Sequence, residues 1–386
     1  PPVPASPGEQ RQLDNLGRAG QRLQGFCRVN LFKRLESGGE AFLLSVSRHV
    51  LRNHVFLYAI DNGLPLPIGT QDSDVLDTGS VDPGSNDEDS DSTTNLLDDG
   101  DLPSEDLPNS EVFSQEQIAK QAEEIYRRYE TSMKTRFQWI RSDLFTASLR
   151  NDLLADAESL AQILSDAGDW DPMLDTKLSA LYQLIASTHP DRKIIIFSQF
   201  ADTVRYLARE LKLMGVSRLA GVTGSTDDPT AMARRFSPVS NERPELKGTA
   251  DELRVLVATD VLSEGQNLQD AAIVVNYDLP WAIIRLIQRA GRVDRIGQEA
   301  SEILCYSFLP TEGVEQIIRL RRRVRDRLTE NAEVVGTDEA FFEDDHGGQV
   351  LVDLYNEKSG ILDGNEDGTE VDLASHAFQI WKNAID

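Results

Sequence analysis

The run LRVLVATDVLSEGQNLQDAAIVVNYDLPW, residues 253–281, decides the fold. It holds two short apolar, β-branched stretches of strand length, VLVAT (255–259) and AIVVNY (272–277). KIIIF (193–197) lies upstream and EILCYSF (302–308) downstream, both of the same character. Between them stand helical segments such as DTVRYLARELKLMG (202–215), which stops on a glycine, the residue that best closes a helix. Near-continuous hydrophobic strands separated by helices predict a parallel sheet covered on both faces, an α/β fold. Ligands of such sheets bind beyond the carboxyl ends of the strands, so polar residues that follow each strand are the candidates for chemistry.

The next stretch outward, QRAGRVDRIGQ (288–298), follows an amphipathic run, WAIIRLI (281–287). Gln288, Arg292 and Arg295 stand at i, i+4 and i+7, one face of a helix. Two arginines converging from one face suit concentrated negative charge such as a nucleotide γ-phosphate. The guanidinium fork binds phosphate oxygens bidentately and keeps its proton near neutral pH. An ordinary basic surface helix has the same residue types.

Taken in order, IIIFSQFADT (194–203), GVTGSTDD (221–228), the 253–281 run and QRAGRVDRIGQ resemble the second RecA-like lobe of superfamily 2 helicases. Within that superfamily the pattern is similar to the Swi/Snf-type DNA translocases. It has the flavour of the bacterial branch typified by the RNA-polymerase-recycling ATPase, whose last motif also ends in D-R-I-G-Q. The likeness spans roughly residues 190–330. It implies that Arg292 and Arg295 are catalytic arginine fingers and that Gly265, Asn267, Gln288 and Arg289 serve the nucleotide. Asn267 falls where the family usually reaches the nucleotide sugar; many members carry an aspartate there. Ser198, Gln199, Thr223, Gly224, Ser225 and Thr259 are assigned by the same likeness to the nucleic-acid backbone, which hydroxyls, amides and backbone N–H groups grip without reading sequence. Turn chemistry alone accounts for several of these residues equally well.

No G-x-x-x-x-G-K-[ST] loop occurs, and neither ADEL (250–253) nor TDEAF (337–341) follows an apolar strand. The chain therefore offers arginine fingers without the first RecA-like lobe that would hold ATP and Mg²⁺. The expectation is the carboxyl-terminal part of a longer polypeptide, inactive as an ATPase by itself; PPVPASPGEQ at its start reads as linker. A separate product that completes a site with a partner is the alternative.

The net charge is −26 over 386 residues, and the fourteen Asp and Glu of 70–111 carry more than half of it. That segment has no Lys or Arg and is rich in Ser, Gly, Pro and Asn, a composition expected of a disordered acidic loop. Around it, 20–187 reads as an inserted helical region with Arg22, Arg28, Lys33, Arg34, Arg48 and Arg52 in its first part. NLFKRLESGGEAFLLSVSRHV (30–50) resembles the K-R-L-E-S element that Swi/Snf-type enzymes insert between their lobes. The expected organisation is a linker (1–19), this helical region (20–187), a RecA-like domain (188–335) and an acidic, helical extension (336–386). GVEQIIRLRRRVRDRLTENAE (313–333) adds an arginine-rich helix.

Two cysteines, Cys27 and Cys305, lack metal spacing, and five scattered histidines form no ligand motif, so no metal site on this chain is expected. The two cysteines lie in apolar contexts, so a reducing cytoplasm is expected, and no apolar run approaches the roughly 20 residues that span a bilayer. The reading is an ATP-dependent DNA helicase or translocase half, binding backbone rather than sequence. A non-catalytic helicase-like scaffold is the rival.

Overall fold

The computed structural model describes residues 4–69, 115–262, 266–280, 283–295, 297–311 and 314. The acidic stretch 70–111, Gly265, nearly all of the arginine-rich helix and the 336–386 extension lie outside the described residues. The chain divides into two compact units. Among the described residues, one takes Phe42–Trp170 and the chain up to Leu31, and the other takes Phe32–Ala41 and the residues from Asp171 onward.

In the first unit, α1 (Pro7–Ser37) and α2 (Gly39–Asp61) supply most of the early helix, and both run on into the second unit. They are followed by β1 (Leu66–Gly69), α3 (Gln115–Thr131), β2 (Phe137–Ile140) and α4 (Ser148–Ala167). β1 and β2 pair antiparallel, Leu66 opposite Ile140, a feature that the helical reading of 20–187 did not contain. LPIG and FQWI are too short, and one carries a proline, for alternation to reveal them. Their function is to close an aromatic core: Tyr126 meets Tyr58 at 5.5 Å and Trp139 at 5.8 Å, while Phe137 meets Tyr129 at 4.4 Å. Tyr126 is buried and its hydroxyl donates to the Pro65 carbonyl at 2.8 Å, so the phenol is not left unsatisfied.

The second unit is built on a five-stranded parallel sheet in the order β4-β5-β3-β6-β7. The strands are β3 (Ile194–Phe197), β4 (Leu219–Val222), β5 (Val255–Ala258), β6 (Ile273–Asn276) and β7 (Leu304–Ser307). The three inner strands are buried at every position, which is why they read as unbroken apolar runs. β4 is an edge strand, half exposed, and its LAGV lacks the β-branched signal. Gly221 within it has a packing role, because a Cβ there would sit 3.0 Å from the Ala208 Cβ on α6 (Ala201–Leu213). α6 ends at the expected glycine: Gly215 has φ +91° and its N–H donates to the Lys212 carbonyl. α5 (Thr176–Gln183), α7 (Pro229–Phe236) and α8 (Ile283–Gly291) complete the helices. α5 continues as a π-helical turn to Thr188, so the expected boundary at 187/188 falls within one helical run. Ile195, Phe197, Leu256, Ala258 and Val274 from one sheet face share a core with Phe236, Leu262, Leu268 and Val293. The fold is the parallel α/β sheet that the strand pattern predicted.

One expectation about local structure is corrected. α8 stops at Gly291, so Arg292 and Arg295 do not share a helical face with Gln288. The N–H groups of Val293 and Asp294 still reach back to the Ala290 carbonyl, and the chain then turns at Gly297, φ +101°. The glycine that spaces the arginines is the last residue of the helix, as suits its low helix propensity.

Candidate functional site

The candidate residues gather at the carboxyl ends of the strands, where a parallel sheet binds its ligands. Two layers are distinguishable there, one buried and one exposed.

Arg289 belongs to the buried layer. Its side chain is fully buried, and Nε and Nη2 hold the two oxygens of Asp260 at 2.6 and 3.0 Å. Nη1 donates to Asn276 Oδ1 at 3.1 Å and to the Asp278 carbonyl at 3.4 Å, and the guanidinium carbon lies over the Phe197 ring, 5.4 Å from its centroid. Arg285 adds a second contact to Asp260 at 3.2 Å. Arg289 thus ties the ends of β5 and β6 together, with all of its fork directed into the protein. Gln298, the last letter of the motif, also works internally: its Nε2 donates to the carbonyls of Ala271 and Val293.

Arg295 belongs to the exposed layer. Its Nη1 donates to Asn267 Oδ1 at 2.9 Å, an acceptor without net charge. Asn267 is held in turn, its Nδ2 donating to the Ser240 carbonyl and its own carbonyl accepting from Asn241. Ser240 and Val239 are fixed by Asp270, which accepts both of their N–H groups. Arg292 lies partly buried next to this loop, its carbonyl accepting from Leu268 N. Gln288 is partly buried on α8. Asn267, Arg292 and Arg295 are therefore neighbours, whereas Arg289 sits beneath them; nothing is placed for Gly265, which is outside the described residues.

The second cluster surrounds Asp278, a fully buried carboxylate just after β6. Oδ2 accepts from the hydroxyls of Ser198 and Ser37, the latter at 2.7 Å, and Oδ1 accepts from Gln199 N at 2.8 Å. Ser198 itself is fully buried, and its hydroxyl also accepts from Phe200 N. Ser37 is the last residue of the K-R-L-E-S stretch, and that whole segment, Phe32–Ala41, belongs to this unit. Lys33 pairs with Glu36 at 3.0 Å and donates to the Leu279 carbonyl. Arg34 pairs with Asp202 at 3.0 Å over the ring of Phe200, and Lys177 donates to the carbonyls of Glu36 and Ser37. Burial pushes the Glu36 carboxyl up against the pull of Lys33 and Lys177, and burial pushes the Lys177 ammonium down. Charges this deep persist only when paired.

Beside β4, Thr223 is buried and its hydroxyl bonds that of Ser225 at 2.9 Å. Gly224 and Ser225 are exposed, with open space around Gly224. Arg205 reaches Ser225 at 3.4 Å and so brings a cation to this loop that motif reading did not single out. Thr259 continues β5, its N–H donating to the Val222 carbonyl. Asp260, Asp278 and Lys177 were also missed; the signal for the two aspartates was an acidic residue directly after an apolar strand.

Among the described residues no group of three or more His, Cys, Asp and Glu is placed to hold a metal ion, and no helix is long and apolar enough to cross a membrane. Cys305 is exposed on β7.

Residues 176–297 match the family described as "Helicase conserved C-terminal domain", and with the sheet above they support a helicase C-terminal domain over that stretch. An uncharacterized ATP-dependent helicase of Bacillus subtilis, YqhH, is 33% identical over 128 residues, covering 33% of this chain and 21% of its own length. DEAD-box ATP-dependent RNA helicase 1 of Arabidopsis thaliana is 31% identical over 136 residues, covering 34% and 23%. The C-terminal part of the Fun30 ATPase domain overlaps 72% of this chain and 85% of its own at 16% identity and a TM-score of 0.34. The chain spans about a fifth to a third of the length of the curated relatives it matches.

Proposed function

We propose that this chain supplies one wall of a composite ATPase site in a DNA translocase, the other wall being a first RecA-like lobe. The observation that carries this reading is the exposed Arg295 guanidinium, paired to the neutral amide of Asn267 beside Arg292. Its charge is not cancelled by the group that holds it, so it is available to phosphate oxygens. ATP fits this wall: Arg292 and Arg295 would face its phosphates and Asn267 its sugar. Mg²⁺ belongs to the first lobe in this reading. Bound ATP and Mg²⁺ supply the phosphoryl group and the metal charge; this chain's arginines stabilise the charge that develops on transfer. Gln288 and Arg289 act behind them, Arg289 by fixing the strand ends. By itself the chain is expected to show essentially no ATP hydrolysis.

Nucleic acid would lie along the other strand ends, where Gln199, Gly224 and Ser225 present amide, backbone N–H and hydroxyl groups to phosphates. Ser198 and Thr223 shape those loops from within, and Thr259 marks the end of β5. A second reading, RNA in place of DNA, is favoured by relatives whose names are RNA helicases. The test is fluorescence anisotropy with this chain and 20-nucleotide DNA and RNA, single-stranded and duplex, across a salt series. Affinity should fall steeply with salt and vary little with base sequence. Preference for RNA selects the second reading; binding to neither leaves the non-catalytic scaffold in front.

A further inference from the structure

We infer that Ser37, far from the helicase motifs in sequence, is a positioning residue that sets the Ser198–Gln199 loop through Asp278. This rests on the assignment of that loop to nucleic acid made above. Ser37 is 241 positions from Asp278 and fully buried against it.

The hydrogen bonds define a direction. Thr203 donates to Ser37 at 2.8 Å, and Ser37 spends its one proton on Asp278 Oδ2. Ser198 spends its proton on the same oxygen, and the Gln199 N–H takes Oδ1. The Phe200 N–H closes the loop onto the Ser198 hydroxyl at 3.2 Å. Three donors thus satisfy a carboxylate that has no access to water, two from the loop and one from Ser37. A buried carboxylate short of a donor is costly, and the least expensive repair is to rotate toward water or admit a water molecule. Either change moves the acceptor on which Ser198 and Gln199 N depend. Gln199 enters this network through its backbone N–H, which fixes the backbone that carries its side chain.

The rest of the segment holds Ser37 in place. Lys177 clamps the carbonyls of Glu36 and Ser37 at 2.7 and 3.1 Å. Glu36 accepts from Leu279 N, the residue after Asp278, while Lys33 donates to the Leu279 carbonyl. The K-R-L-E-S segment is therefore locked side chain to backbone at Leu279, directly after Asp278.

The test uses the full chain with Ser37→Ala and, as a control, Thr203→Ala. Thr203 touches Ser37 but not Asp278, so its loss costs comparable packing without removing a donor from the carboxylate. Amide hydrogen exchange at Gln199 and Phe200 is read by mass spectrometry, and binding of a 20-nucleotide oligo(dT) and oligo(U) by anisotropy. Ser37→Ala should speed exchange at these two amides about ten- to hundredfold, the factor associated with a hydrogen bond to a charged group. It should weaken oligonucleotide binding without changing its salt slope, because no cationic phosphate contact is lost. Thr203→Ala should do neither. Ser37→Cys, nearly isosteric and a weak donor, should fall between and serves if the alanine variant does not fold. Unchanged exchange at 199 and 200 in Ser37→Ala, or an equal effect in Thr203→Ala, overturns the proposal. Altered exchange with no oligonucleotide bound even by the wild type upholds the positioning role and rejects the nucleic-acid assignment.

Discussion

Arg289 and Arg295 are the same residue type six positions apart, yet their replacement by alanine should have opposite consequences. Arg289 is fully buried, grips both oxygens of Asp260 and bonds Asn276. Removing one member of a buried ion pair costs about 3–5 kcal/mol, because the partner charge stays behind uncompensated. Arg285 remains 3.2 Å from Asp260 and offsets part of that loss, which sets the expectation near the lower end. With a urea dependence of about 1–3 kcal/mol/M, the midpoint should fall by about 1–3 M. Arg289→Lys should recover little, since an ammonium cannot chelate both oxygens. Arg295 is exposed and bonds only a neutral amide among the contacts described here, so Arg295→Ala should change stability by about 0.5 kcal/mol or less. Urea unfolding followed by circular dichroism measures both. A loss below about 1 kcal/mol in Arg289→Ala, or an equal loss in the two variants, would refute the division into buried anchor and exposed finger.

Two further outcomes follow from single contacts. Asn267→Asp converts the 2.9 Å contact into an ion pair, so Arg295 should label more slowly with phenylglyoxal, and Asn267→Ala should label faster; identical rates in all three proteins would show that Asn267 does not hold it. Tyr126, buried and bonded to Pro65, has its phenol pushed up to about 12 by burial. A raised acid stabilises the fold below its unfolded value near 10 and loses that contribution as pH rises through the folded value. Wild-type stability should therefore fall between about pH 10 and 12, and Tyr126→Phe should flatten that fall; parallel curves would contradict it.

The parallel sheet was legible because β3, β5 and β6 are buried on both faces, leaving no polar position to interrupt them. β4 was not, since an edge strand that keeps Gly221 small for α6 has little apolar or β-branched content. β1 and β2 escaped for a related reason: their stability comes from rings on α2, α3 and β2 that meet only after folding. Arg295 could be singled out from the motif around it, but the burial of Arg289 could not, because it depends on Asp260 across a loop. K-R-L-E-S was marked only by its resemblance to an element of Swi/Snf-type enzymes. What it touches lies more than 160 positions away at Ser198 and farther still at Asp278, beyond any periodicity.

The most direct measurement joins this chain to a first RecA-like lobe and follows ATP hydrolysis with and without nucleic acid. Hydrolysis should be faster with nucleic acid, since both ligands favour closure of the lobes. Arg292→Ala and Arg295→Ala should each lower turnover by about 10³-fold or more with the fold intact, the scale of arginine fingers. Turnover that ignores nucleic acid, or that survives both alanine substitutions, would contradict the composite site and return these arginines to the surface.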